Sequence, residues 1–288
     1  MLQFVKYKNF ICFLSAIFIL TALPSKANEN VSSFFSNLIP GEGLTEASIE
    51  INEDDNPDLE ILAVRELDSS ENSNLFTQFS LHSQEINNHD RYIGNLGLGY
   101  RKLSDDKSSM YGFNIFFDND IEANHQRGSI GFELKGAYLD LVANSYHKLT
   151  NQEDYKGTKE QVLSGYTIDL ASQIPYSPWA KINWQNYNWE NEKSTEDTEG
   201  NTLALEAYLT RSLQLVLKND FSDNTGVDDE FTYKLAYFYP PRQTTSMQDG
   251  LSNVAFEKEN METKLKEKVR RENNLTVEIQ GSVIVTSK

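Results

Sequence analysis

From about residue 59 to residue 239, apolar residues return at every second position in segment after segment, and no other feature of this sequence constrains the fold as tightly. In 92–102, Leu96, Leu98 and Tyr100 oppose Asn95, Gly97, Gly99 and Arg101. Tyr111, Phe113, Ile115 and Phe117 then oppose Gly112, Asn114 and Asp118, and Ile130, Phe132 and Leu134 oppose Arg127, Ser129, Gly131, Glu133 and Lys135. Leu75, Phe79 and Leu81 share a face in 75–81, and weaker alternation recurs at 139–149, 162–170, 179–189, 203–209, 213–217 and 231–239. With a further segment at 59–67, eleven strands can be marked; a closed bacterial membrane barrel has an even number, so twelve are predicted, one boundary being hidden.

Alternation alone does not separate a soluble sandwich from a membrane barrel, because both bury one face. The composition of the polar face does. It carries Gly and Asn together with charges of both signs at like positions: Arg101, Asp118, Arg127, Glu133, Asp169, Lys181, Glu206, Lys218, Asp220 and Lys234. Small residues with paired opposite charges suit a crowded interior, where each charge needs a partner. The opposite face places Tyr111, Tyr166, Tyr208, Tyr237 and Tyr239 towards strand ends, as in the aromatic girdles of membrane barrels. The fold class expected is therefore all-β: a transmembrane antiparallel up-and-down barrel of about twelve strands. Such a barrel shows lipid only every second residue, which explains a hydrophobic content of 39%, below the roughly 45–50% of soluble domains.

The ends differ from the middle. Residues 1–27 carry Lys6 and Lys8, an apolar run at 10–23 and then Pro24-Ser25-Lys26-Ala27, which reads as a signal peptide rather than a membrane anchor. Cys12, the one Cys of the chain, lies in that leader, so the exported chain is expected to hold no disulfide or thiolate metal site. Residues 28–58 are acidic and read as a periplasmic linker or short helix, 59–250 as the barrel, 251–274 as a charged helix, and 275–288 as an extended stub. With 43 acidic against 26 basic residues, a net charge of −17, no nucleic-acid partner is expected.

The strand motifs resemble a known family. Asn95-Leu96-Gly97-Leu98-Gly99-Tyr100-Arg101 and Gly112-Phe113-Asn114-Ile115-Phe116-Phe117-Asp118 are similar to successive strands of the inverse autotransporter β-domain of the intimin and invasin outer-membrane adhesins. Arg127-Gly128 with Gly131 and Glu133, Ala143-Asn144-Ser145-Tyr146, Gly165-Tyr166 with Asp169, and Pro175 with Pro178 follow in the family's order. The resemblance implies a twelve-stranded barrel with a periplasmic N-terminus, a helix in the pore, here 257–272, and a linker threaded to the cell surface that delivers a C-terminal passenger. It implies outer-membrane lipid and lipopolysaccharide as surroundings, barrel-assembly machinery and periplasmic chaperones as partners, and Sec-type export to a Gram-negative outer membrane. The sequence ends at Lys288, shortly past the junction 271–278, so the reading expects the passenger to be nearly absent; 28–58 is likewise too short for the LysM module of larger members.

The same residues give little support to enzymatic chemistry. Gly97-x-Gly99 opens no helix and reads as a crowded interior rather than a nucleotide loop. His82, His89, His125 and His147 are isolated and read as surface or strand-end residues. Asp118 and Glu133 could form an acid–base pair, but Arg101 and Arg127 beside them favour an ion-pair ladder. Ser80, Ser129 and Ser164 have no histidine in a partner register. Glu53-Asp54-Asp55 and Asp228-Asp229-Glu230 could hold Ca2+, with solvated loops the plainer reading, and 189–201 is expected to be an exposed acidic loop. No catalytic residue, metal site or cofactor is therefore expected. A porin or channel, a surface protein acting through its loops, and a soluble β-sandwich remain the rival readings.

Overall fold

In the computed structural model, residues 39–52, 57–224, 227–279 and 282–284 are described. Twelve strands close into an antiparallel barrel: β1 (Gly43–Asn52), β2 (Asp58–Ser69), β3 (Ser73–Ile86), β4 (His89–Leu103), β5 (Ser109–Asp120), β6 (Gln126–Gly136), β7 (Leu139–Lys148), β10 (Ser164–Ile174), β11 (Ser177–Glu190), β12 (Thr198–Thr210), β13 (Leu213–Ser222) and β14 (Glu230–Tyr239). Each strand pairs with its neighbours in sequence, apart from β7, which pairs with β10, and β14, which closes on β1 from Thr45↔Tyr239 to Asn52↔Thr232. A second, four-stranded sheet consists of β8 (Glu153–Tyr155), β9 (Thr158–Val162), β15 (Val277–Ile279) and β16 (Ser282–Ile284).

The hidden strand is β1. It lies inside 28–58, which the sequence reading assigned to an acidic linker. Its lumen-facing positions include Glu46, Ser48 and Glu50, and its outer face offers only Gly43, Thr45 and the small Ala47 before Ile49 and Ile51, so the alternation is short and looks like an acidic tract. Arg65 of β2 fixes its start. The guanidinium donates to the carbonyls of Ile39 and Leu44 at 2.7 Å each and to Thr45 Oγ1 at 2.6 Å. The leader 1–27, the acids Glu53-Asp54-Asp55 and residues 285–288 lie outside the described residues.

The two faces separate as alternation requires. Leu96, Leu98, Phe113, Ile115, Ile130, Phe132 and Ile168 are exposed on the outer surface, while Arg101, Asp118 and Arg127 are completely buried inside. An outward apolar belt over a charged interior is the signature of a membrane barrel. The girdle is corrected at one position: Tyr208 points inward with Glu206 of the same strand and packs beside Phe238, ring centroids 6.2 Å apart. It shares its parity with the polar set, so its side chain belongs in the lumen. Two of the histidines read as surface or strand-end residues, His82 and His125, are also buried.

The glycines of β4 have a steric cause. A Cβ on Gly97 would stand 2.4 Å from the Phe116 ring, and one on Gly99 would stand 2.3 Å from the Phe76 ring. These phenylalanines occupy lumen positions, and only glycine leaves room for them.

The two ends of the barrel are unequal. At one end the connections are short: 137–138, 175–176 and 211–212. In another short turn, the Ser104 hydroxyl and then the Ser108 hydroxyl and backbone N–H hold the exposed Asp106 carboxyl down at about 2. At the opposite end are 149–163, which contains β8 and β9, and the loops 191–197 and 223–229. The exposed loop expected at 189–201 is thus confined to 191–197, and Trp189 is buried against Tyr146.

Candidate functional site

The site is the lumen, and its charges are set in rows by strand register. Arg101 of β4, Gly112 of β5 and Glu133 of β6 lie side by side. Because Gly112 has no side chain, Arg101 reaches across it to Glu133, with Nε and Nη2 donating to the carboxylate at 2.8 and 2.9 Å. In a second row Asn95, Asp118 and Arg127 are direct neighbours; Asp118 accepts from Asn95 Nδ2 at 2.8 Å and from Arg127 Nε at 2.9 Å. Asp118 and Glu133, weighed as an acid–base pair, are each held by an arginine. The nominated serines are also engaged: Ser80 donates to Asn95, Ser129 accepts from Arg271, and Ser164 accepts from the Lys148 N–H.

The C-terminal segment fills this charged interior. The expected helix at 257–272 is reduced to one turn, α1 (Met261–Lys264), capped by the Asn260 side chain, which accepts from the Glu262 N–H. The N–H groups of Leu265, Lys266 and Glu267 still bond three residues back, but carbonyls from Leu265 onward and the N–H groups of Val269, Glu272 and Leu275 go to wall side chains, so the barrel supplies hydrogen bonds that a helix would make internally. Asn74, Asn95, Arg127 and Asn144 donate to the carbonyls of residues 265, 273, 272 and 270.

Ion pairs and apolar seats alternate along it. Lys264 pairs with Asp140, Glu267 with Lys135 at 3.1 Å and Arg242 at 2.6 Å, and Lys268 with Glu46 at 2.7 Å. Arg270 pairs with Glu206, and Arg271 donates to Asp118 at 2.7 Å while its guanidinium lies 4.3 Å from the Phe116 ring centroid. Met261 and Leu265 seat against Leu103 and Met110; Val269 against Leu62, Val64, Phe76, Phe116 and Phe238; Leu275 and Val277 against Ile86, Ile93 and Val162. Sequence reasoning missed these seats: the spacing of Met261, Leu265 and Val269 was the available signal, but it does not form a coiled-coil seam. A cavity of about 160 Å³, bordered by Glu50, Asp169, Lys181, Glu206 and Lys218, remains beside the segment.

At the long-loop end the segment emerges into β-structure. Val277 pairs with Val162, Glu278 with Gln161, and Ile279 with Glu160, which adds β15 to the edge of β9. The Glu278 carboxylate accepts from the backbone N–H groups of Glu192, Lys193 and Ser194 at 3.0–3.1 Å. β9 is itself tied to the barrel: Arg91 of β4 grips Glu160 with two bonds of 2.6 Å and Asp120 with one of 3.1 Å, and His125 stands 3.3 Å from Glu160. Asp228-Asp229-Glu230 is not such a cluster of ligands: among the described residues, no group of three or more His, Cys, Asp or Glu is placed to hold a metal ion.

A lipid-facing belt around a lumen occupied by the chain's own C-terminal segment defines an outer-membrane β-barrel of the self-plugged kind. The chain belongs to the inverse autotransporter β-domain family, whose profile, "Inverse autotransporter, beta-domain", matches residues 15–273. Invasin of Yersinia enterocolitica is 32% identical over 120 residues, 40% of this chain and 14% of the invasin. The inverse autotransporter adhesin YeeJ of Escherichia coli K12 is 26% identical over 222 residues, 73% of this chain and 9% of that protein. Intimin of Escherichia coli O157:H7 is 25% identical over 55% of this chain and 18% of its own length. The matched stretch is thus a small part of these relatives. A solved structure described as "Unveiling the Mechanism Behind the in-meso Crystallization of Membrane Proteins" shares the fold, with a TM-score of 0.64 at 17% identity over 82% of this chain and all of its own. The family is of the adhesin and autotransporter type, not an enzyme family.

Proposed function

We propose that the barrel is a translocator and anchor: it carries its own C-terminal segment through the outer membrane and holds it at the cell surface. The observation that supports this is the path of residues 261–279. They begin beside Leu103 and Met110, next to the short turn 104–108, and end paired with β9 beyond the opposite rim. Outer-membrane barrels keep short turns in the periplasm and long loops outside, so this direction is outward. Export by a Sec-type route with the leader 1–27, and insertion by the barrel-assembly machinery, complete the reading. What the relatives display beyond their barrels is outside the matched stretch, so adhesion is proposed only for whatever sequence this barrel presents. A porin role is disfavoured by the same occupied lumen.

A protease-sensitive tag appended after Lys288 tests the direction of threading. On intact cells the tag is expected to be cut, while a periplasmic control protein is spared. Protection of the tag on intact cells, with cleavage only after the outer membrane is opened, would show that the segment does not reach the surface.

A further inference from the structure

The contacts between β3 and the threaded segment share one numerical property. Asn74 Nδ2 donates to the Leu265 carbonyl at 3.0 Å, Gln78 Oε1 accepts from the Val269 N–H at 2.8 Å, and Gln84 both accepts from the Leu275 N–H at 3.0 Å and donates to the Leu275 carbonyl at 2.9 Å. Every one of these pairs is separated by 191 positions. A constant separation means that the segment advances residue for residue with β3 and in the same direction. It lies inside the barrel like an additional parallel strand, joined to the wall by carboxamide side chains instead of direct backbone bonds.

The chemistry of the rungs suits a peptide main chain. A carboxamide carries the same donor and acceptor as a peptide group, and Gln84 uses both on one residue. All three wall residues are buried, so a rung that lost its partner would leave a desolvated polar group. Strands β4, β6 and β7 add further main-chain contacts: Asn95 and Arg127 take the carbonyls of Asn273 and Glu272, and the Tyr146 hydroxyl accepts from the Glu272 N–H. Side-chain ion pairs such as Lys268 with Glu46 and Arg270 with Glu206 reach β1 and β12, away from β3. The hydrogen bonds from β3 named above all go to the main chain of the segment, whereas its ion pairs are made with other strands, Asp118 of β5, Lys135 of β6 and Asp140 of β7 among them.

We propose that the β3 side of the lumen is a polypeptide-binding track that recognises the main chain of an extended segment, with side-chain identity tested elsewhere in the pore. Residues 265–275 are its resident ligand, and any extended stretch of this chain passing through the lumen would meet the same rungs. This rests on the translocator reading for its role, although the binding chemistry stands without it.

Amide hydrogen exchange on the full folded chain in detergent or nanodiscs tests the track without any transport step. Gln78→Leu is expected to speed exchange at Val269, and Gln84→Leu at Leu275, each by about tenfold or more at its own rung, as loss of one buried hydrogen bond requires. The variant Lys266→Met changes a side chain between the rungs that is more than half exposed and is expected to leave both amides within about threefold of the parent. Where a Leu variant does not fold, Gln78→Asn and Gln84→Asn withdraw the carboxamide by one methylene and carry the same expectation. Unchanged exchange in the rung variants, or exposure of both amides in the Lys variant, would overturn the proposal and show that side chains alone hold the segment. A tag that stays in the periplasm would sink the translocator role while leaving these rates as expected, so the two failures are distinguishable.

Discussion

Asp118→Ala is expected to cost roughly 3–5 kcal/mol, the usual range for removing one member of a buried ion pair. The carboxylate is fully buried and accepts from Arg127, Arg271 and Asn95 together. Its loss strands two guanidinium groups, one on the wall and one on the threaded segment. Arg127 retains the Glu272 carbonyl as acceptor, and Arg271 retains Ser129 Oγ and Asn273 Oδ1, but neither keeps its counter-charge on Asp118. Urea unfolding in lipid, followed by the heat-dependent gel shift, measures the change. The exposed pair of Lys107 and Glu262 provides the contrast: with both side chains open to solvent, Lys107→Met is expected to leave the unfolding midpoint nearly unchanged. Equal effects at the two sites would mean that the lumen row does not hold the segment.

Much of that row was legible in advance because a strand's side-chain period is two. Once Arg101, Gly112 and Glu133 were placed on one face, the register needed only a short connection between strands to bring them together. β1 was not legible, because Glu46 and Glu50 are favourable beside Lys268, Lys234 and Lys218, which lie far away in sequence. The helix expected at 257–272 was wrong for a related reason. Its residues favour a helix locally, but Asn74, Gln78, Asn95 and Asn144 offer the backbone partners that local sequence cannot reveal. Tyr208 was placed outside because aromatic residues usually mark the lipid interface, and Trp189 because it opens the acidic stretch read as an exposed loop. Here the interior uses them against arginines, with Arg242 5.1 Å from the Tyr208 centroid and Arg127 5.5 Å from that of Trp189.

Deleting residues 257–288 is expected to turn a closed barrel into a conducting one. Eight-stranded barrels are filled by their own side chains, whereas 16–18 strands leave an aqueous channel. A twelve-stranded wall lies between these limits, and here the threaded segment occupies the difference, leaving a cavity of only about 160 Å³. Without it, Glu46, Asp118, Lys135 and Glu206 would line a hydrated passage. Planar-bilayer recordings are expected to show steady open-channel steps for the deleted chain and none for the intact one. Gly112 and Gly131, whose missing side chains keep the β5–β6 wall thin, contribute to the width of that passage. Steady conduction by the intact chain would restore the porin reading.

Residues 261–279 cross the whole lumen and are captured by the loop between β7 and β10. Val162 and Val277 face each other across the antiparallel β9–β15 pair, a position from which two cysteines can close a disulfide. Oxidation of whole cells carrying Val162→Cys and Val277→Cys is expected to give the crosslink, seen as a reducible gel shift. A control pair within the β8–β9 hairpin, Asp154→Cys with Lys159→Cys, reports that the oxidant reaches the site. Crosslinking of the control without crosslinking of Val162 to Val277 would contradict the threaded path.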